Sequence, residues 1–318
     1  MCIMKATVPD TPLNDAYHVG SLNFRGIFLM QELKKQQQPM TVDEQIINLR
    51  EKGLFIENED YARSFLNNVS YFRLIKAYSI GLKVRNGKYN GNVHFEDIVN
   101  LYLFNATFRH QLFIEIEKVE VILRCRLSNY FCEKYGVLGY EDINNFSIPS
   151  EIFSAFFDEI QKEIARNFRA TFVKNFKDNY IDGKIPLYAL VELLSFGTLS
   201  KFYKNMKNED KKAVSTSFGV GYTYFESWIE SMAYVRNVCA HYGRLYNNKL
   251  VKTPKMYKQY TKVGNNRVFA TLLTLKHILP NDRHWHDFVQ SVELLIEKYP
   301  SVNPRLIGFP KMWVEYLR

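Results

Sequence analysis

The chain has 318 residues, 47% of them hydrophobic and 24% charged, with 24 Phe and 21 Tyr. That balance excludes a wholly disordered chain and supplies enough apolar mass for one large core or two small ones. The net charge of +9 suits an anionic partner such as nucleic acid, although proteins that bind nothing anionic share it.

Cys2, Cys125, Cys132 and Cys239 form no Cys-x-x-Cys pair. Neither a zinc site nor a disulfide framework is indicated, and reduced thiols in a cytoplasm fit. No apolar run approaches the ~20 residues that a membrane helix needs, and the start of the chain has no signal-peptide core. The expectation is a cytoplasmic protein with no metal, no cofactor and no membrane partner.

Residues 1–39 have mixed polarity and close on the polar run Gln31 to Gln38. They read as a loosely ordered extension, and Met30 is an alternative start. Thr41 and Glu44 have capping-box spacing ahead of Ile46, Ile47 and Leu49, which predicts a helix start. A second helix is expected over 60–67, followed by an aromatic stretch over 69–82. Asn86-Gly87 and Asn90-Gly91 predict a hairpin or loop over 83–92.

Residues 95–134 contain no Gly or Pro and end before Gly136, which predicts a long helix. Further helices are expected over 149–179 and from Pro186, the latter interrupted at Ser195-Phe196-Gly197, read as a helix kink for close packing, and resuming to about 208. Thr223 and Glu226 suggest a second capping box, opening a helix that Gly243 ends or distorts. A short hairpin is expected within 249–263. Helices over 268–279 and 285–299 close the chain. The fold class is mostly α.

The helix opened near Thr223 carries Arg236-Asn237-Val238-Cys239-Ala240-His241. With Arg236 at 0° and about 100° per residue, Ala240, Arg244, Asn237, Glu230 and His241 fall between about 40° and 140°. Met232, Tyr234, Val235, Val238 and Cys239 fill the opposite arc. One face is therefore apolar, and the other gathers Arg, Asn, His and Glu. A solvated polar face is the plain alternative.

The functional alternative is RNA chemistry. A guanidinium neutralises a scissile phosphate, while a histidine moves a proton to or from a 2′-OH or a leaving 5′-oxygen. The RNA supplies its own nucleophile. The reaction needs both a base and an acid, and two copies of the chain would bring two histidines together.

These residues resemble the R-x4-H signature of the HEPN ribonuclease superfamily. The wider pattern resembles the Abi-like family, the AbiD/AbiF group of abortive-infection proteins. It runs in order through Glu44-Gln45 to Gly53-Leu54, Ser70 to Leu74, Ile116 to Glu120 with Arg124, and Glu192 to Ser200. It continues through Arg236 to His241 with Arg244 and Asn247, and ends at Gly308-Phe309-Pro310 with Trp313.

The resemblance implies a helical HEPN-like bundle, with its core over about 95–248 inside an Abi-like domain of 40–318, plus added terminal helices. It also implies dimerisation that apposes two R-x4-H motifs, metal-independent RNA cleavage, and a phage-defence or toxin-like role. The partner is RNA, either a cleaved target or a small structured non-coding RNA. One departure concerns the tyrosine that some HEPN toxins carry two residues after the histidine, where nucleotides are added. Gly243 stands there, and the tyrosine is Tyr242.

The candidate catalytic residues are Arg236, His241 and Asn237. Arg244, Arg73 and Asn247 are the candidate RNA contacts. Glu117, Glu120 and Arg124 share a stripe with Arg109 and Phe113, either as a structural ion-pair network or with one carboxylate orienting Arg236. Tyr71, Leu74 and Tyr78 have helical spacing, which favours core packing for the aromatics around Arg73. A non-catalytic RNA-binding regulator and a purely structural helical protein are the competing functions.

Overall fold

The computed structural model describes residues 38–83 and 86–318, together with the backbone of 19–22 and 28–31. Most of the expected loose extension, 1–39, lies outside the described residues. Within it, β1 (Val19–Leu22) pairs antiparallel with β2 (Phe28–Gln31), in the register Val19 to Gln31. The rest is helical, as the mostly α pattern predicts.

The Thr41–Glu44 capping box opens α1 (Val42–Glu51). The Glu44 amide donates to Thr41 Oγ1 at 3.3 Å, and the Thr41 amide donates to Glu44 Oε2 at 2.7 Å. These bonds satisfy two amides that a helix start leaves without partners. Helix α2 (Glu59–Asn68) packs beside it, and Arg50 and Arg63 both pair with Glu59. The following aromatic stretch winds into a π-helical turn, Phe72–Lys76. Beyond it, Lys83 and Tyr89 form a single antiparallel bridge, the expected turn at 83–92 in its smallest form.

Helix α3 (Phe95–Tyr135) is the spine. Its 41 residues span about 60 Å. Phe104, Phe108, Leu112, Ile116, Val119, Leu123, Leu127 and Phe131 form a continuous buried stripe along it. It stops at Gly136, whose φ of 81° no side-chain-bearing residue adopts cheaply.

The expected single helix over 149–179 divides into α4 (Ser150–Arg166) and α5 (Thr171–Asn179). The expected interruption is present as a gap between α6 (Leu187–Leu190) and α7 (Phe196–Asn205), but it ends at Ser195 and is a break between two helices rather than a kink in one. Ser195 caps α7, its hydroxyl accepting from the Thr198 amide at 3.1 Å. The serine therefore starts a helix rather than bending one.

Helices α8 (Asn208–Thr216) and α9 (Tyr222–Ala240) follow. The capping box expected at Thr223 does not form. Gly221 is the cap of α9, and the Glu226 carboxylate goes to Lys211 Nζ at 2.9 Å. A tertiary cation outcompetes the local amide.

Nor does the hairpin expected within 249–263 form. That segment is a strap along α9. Trp228 Nε1 donates to the Lys255 carbonyl at 2.6 Å, and the Ser231 hydroxyl donates to the Lys252 carbonyl at 3.0 Å. With its carbonyls satisfied by side chains of α9, the strap needs no strand partner.

Helix α10 (Phe269–Ile278) is buried almost all round, as a central helix must be. Helix α12 (Trp313–Leu317) packs on α10 and helix α11 (Arg283–Lys298) on α3, the two joined where Trp285 Nε1 donates to the Leu317 carbonyl. Phe309 fills the space between Phe108, Phe269 and Trp313. Among the described residues no helix is long and apolar enough to cross a membrane.

Candidate active site

The last turns of α9 divide as the sequence predicts. Met232, Val235 and Cys239 are buried, Tyr234 and Val238 are half-buried, and Asn237 and His241 are exposed. Glu230 lies in the polar arc but is taken by Lys252 at 2.7 Å. Burial pushes the Cys239 thiol up to about 12, so this sulfur is packing and no nucleophile.

His241 ends the helix, its amide donating to the Asn237 carbonyl at 3.0 Å. The Tyr242 amide then donates to the Cys239 carbonyl at 3.2 Å, and the Gly243 amide to the Val238 carbonyl at 2.7 Å. This pair of bonds is a Schellman stop. The left-handed position is held by Tyr242, with φ 58°, where glycine is usual and where a bulky residue costs about 1–2 kcal/mol.

Gly243 is required one step later. A Cβ there would lie 2.7 Å from Val238 Cγ1 and 2.9 Å from the Val238 carbonyl. The expected stop at Gly243 therefore stands, by close approach rather than by positive φ.

Three side chains offset the strain at Tyr242. Arg109 Nη1 donates to the carbonyls of Tyr242 at 2.9 Å and Gly243 at 3.1 Å. Arg73 Nη1 donates to the same Tyr242 carbonyl at 3.1 Å. Asn105 Oδ1 accepts from the amides of Leu245 and Tyr246. Two cations at the carbonyl end of a helix also complement its dipole. Arg109 shares a helical stripe with Glu117, Glu120 and Arg124, but sequence reasoning gave it no role. Its signal is an arginine on the buried face of a long helix.

Arg236 points back to α3. Its Nε lies 3.4 Å from Glu120 Oε2, and its guanidinium carbon sits 5.4 Å from the centre of the Phe113 ring. The ion pair lacks hydrogen-bond alignment, and the Nε is left without a hydrogen-bonding partner. Glu120 is buried and also accepts from Arg124, which donates in turn to the Val191 carbonyl. A carboxylate pinned on one side thus holds Arg236 on the other. The Arg236 side chain stays 32% exposed, so its guanidinium retains donors for a ligand.

Glu117 does not join this group. It is exposed and lines a separate groove of about 580 Å³ between α3 and the turn before α11. Of the two candidate carboxylates, only Glu120 meets Arg236.

Arg244 Nη1 donates to the Ala77 carbonyl at 2.9 Å, and burial lowers its pKa. Asn247 takes a left-handed φ of 47°, and its Nδ2 approaches the Ile80 carbonyl at 3.4 Å. Both residues tie the segment after α9 to the chain ahead of α3, while Arg73 stays on the exposed side of the π-helical turn. Asn237 makes no side-chain hydrogen bond to the described residues. No three His, Cys, Asp or Glu side chains gather as a metal set among the described residues.

The fold and the site define a helical bundle whose ninth helix presents an Arg/His pair at its carbonyl end, braced by the long third helix. The profile of the Abi-like protein family matches residues 64–247, more than half of the chain, and the chain belongs to that family. The matched span holds every candidate site residue from Arg73 to Asn247. The segments 44–54 and 308–313 lie outside it. Neither a curated protein nor a solved structure gives a match.

Proposed function

We propose that the protein is a metal-independent endoribonuclease acting in phage defence as a homodimer. The observation that carries this reading is exposed His241 at the end of α9, five residues after an Arg236 that Glu120 holds and that stays partly exposed. The only carboxylate beside Arg236 among the described residues is the buried, shared Glu120. Membership of the Abi-like family supports the defence role.

Arg236 binds the scissile phosphate and offsets the charge that builds on it. His241 takes the proton of the 2′-OH as its oxygen attacks phosphorus. The bond from phosphorus to the 5′-oxygen breaks. His241 of the second copy gives that oxygen a proton. The products are a 2′,3′-cyclic phosphate and a 5′-hydroxyl. Asn237 positions the ribose or His241, while Arg244, Arg73 and Asn247 contact the RNA.

The test compares wild type with His241→Ala on total RNA in excess EDTA and maps the new ends. New cyclic-phosphate ends from wild type alone are expected, with a loss of at least about a hundredfold in the variant and unchanged RNA binding. Full cleavage by His241→Ala overturns the assignment.

A second reading, a non-catalytic regulator holding a structured RNA, draws on the cation excess around Tyr242. It predicts a discrete co-purifying RNA and no cleavage by either protein.

A further inference from the structure

Next along the chain from His241, Tyr242 lines a cleft of about 270 Å³ together with Ser70, Phe72, Arg73, Tyr78 and Arg244. Its charge is unbalanced. Arg73, Arg244 and the adjacent Arg109 form no ion pair with a carboxylate among the described residues. Arg109 is only 4% exposed, and its Nε has no hydrogen-bonding partner. Their hydrogen bonds go to backbone carbonyls, which carry partial charges. Tyr78 beneath them has its hydroxyl pushed up by burial to about 12 and supplies no counter-charge. A buried guanidinium with no anion beside it is costly to keep. Arg73 and Arg244, which line the cleft, each give one hydrogen bond to a carbonyl and keep further donors for an anion.

The rim of the cleft is aromatic. Phe72 is 79% exposed and Tyr242 is 64% exposed, although both occur in chain segments that could have buried them. The expectation that the aromatics around Arg73 pack in the core holds for Tyr78 and partly for Tyr71, but fails at Phe72. Phe72 opens the π-helical turn Phe72–Lys76 and faces solvent, while Leu74 and Ile75 of the same turn stay buried.

Exposed rings set among guanidiniums are how proteins hold unpaired nucleotides, the rings taking the bases and the cations the phosphates. The volume lies below the range of about 300–1,000 Å³ usual for a whole small-molecule site. It suits one unit of a longer strand.

On the footing of the RNA-directed activity proposed above, we infer that this cleft is a subsite for one unpaired nucleotide of single-stranded RNA flanking the scissile phosphate. The base stacks on Phe72 and Tyr242, and its phosphate is held by Arg73 and Arg244. Duplex RNA keeps its bases stacked inside and cannot use the rings. The subsite therefore selects loops and unpaired strands over helices. Because Tyr242 follows His241 directly, a base seated on its ring fixes where the next phosphate falls.

The test measures binding of a fluorescein-labelled oligouridylate and of an RNA duplex of equal charge, all in the His241→Ala background so that nothing is cut. Adding Phe72→Ala should weaken strand binding about tenfold, leave duplex binding unchanged, and leave thermal stability unchanged because the ring is exposed. Phe72→Trp should restore the strand. No loss with Phe72→Ala, or equal loss for strand and duplex, overturns the subsite.

The two proposals fail separately. If wild type cuts no RNA but Phe72→Ala still selectively loses the strand, the subsite stands and the nuclease falls. If wild type cuts while Phe72→Ala binds the strand as its parent does, the subsite falls and the nuclease stands. A parent that binds no strand overturns both.

Discussion

The two ends of α3 handle charge in opposite ways. Near its C-terminus, the fully buried Asp210 of α8 accepts from the Tyr130 hydroxyl at 2.7 Å, the Tyr135 hydroxyl at 2.8 Å and Lys134 Nζ at 2.5 Å. The Asp210 carboxylate, and Glu209 beside it, push the Lys134 pKa strongly upward. The carboxylate finds cation and donors within the protein, and the knot is closed. In the N-terminal half, Arg109 and its neighbours Arg73 and Arg244 find only carbonyls, and just past the middle Arg236 shares one carboxylate with Arg124. A polar network whose partners are all internal fixes the fold. One left short of anions is open to an external ligand.

This contrast breaks most sharply at His241. His241→Ala should abolish cleavage without moving the melting temperature, because the ring is exposed. Asp210→Ala should do the reverse. Removing three bonds to a buried charge should cost on the order of 3 kcal/mol of stability, read by denaturant unfolding, with strand affinity unchanged in the protein that remains folded. Loss of RNA binding without loss of stability in Asp210→Ala would erase the distinction between the two ends.

A smaller effect is expected at Gly243. Gly243→Ala forces a methyl against Val238, an overpacking worth about 1–3 kcal/mol. It also shifts the turn that carries His241. Melting temperature and cleavage should fall together, and an unchanged melting temperature would show that the turn is looser than its geometry.

The smallest effect concerns His277, away from both ends. Its Nε2 lies 2.9 Å from the Tyr260 hydroxyl. Burial and then Lys276 lower its pKa below the ordinary 6.5. A histidine held neutral by the fold contributes stability fully above 6.5, and that contribution fades as pH falls toward the folded value. Wild type should therefore lose more melting temperature than His277→Gln on going from neutral to mildly acid pH. Parallel pH profiles would refute the assignment.

Some elements were legible because they depend on neighbours in the chain. The Thr41–Glu44 box forms as spaced, since both partners lie within one turn. Helix α3 runs nearly as its freedom from Gly and Pro predicts. The division of α9 into apolar and polar arcs follows from period alone. Thr223–Glu226 has the same spacing as the true box and fails, because Lys211 on another helix attracts Glu226 more strongly than a local amide does. Ser195 reads as a kink until the gap after α6 shows it to be a cap.

Most of the helices, the side of α9 that carries Arg236, Asn237 and His241, and the surplus of positive charge can be read directly from the chain. These are matters of residue type and local period. Tertiary structure decided that Glu120 rather than Glu117 holds Arg236, and that Arg109 and Arg73 clamp the turn after His241. It also decided that Phe72 faces solvent. Each of these depends on which surfaces meet across more than a hundred residues of chain, or on a local change of helical winding, and neither is written in spacing.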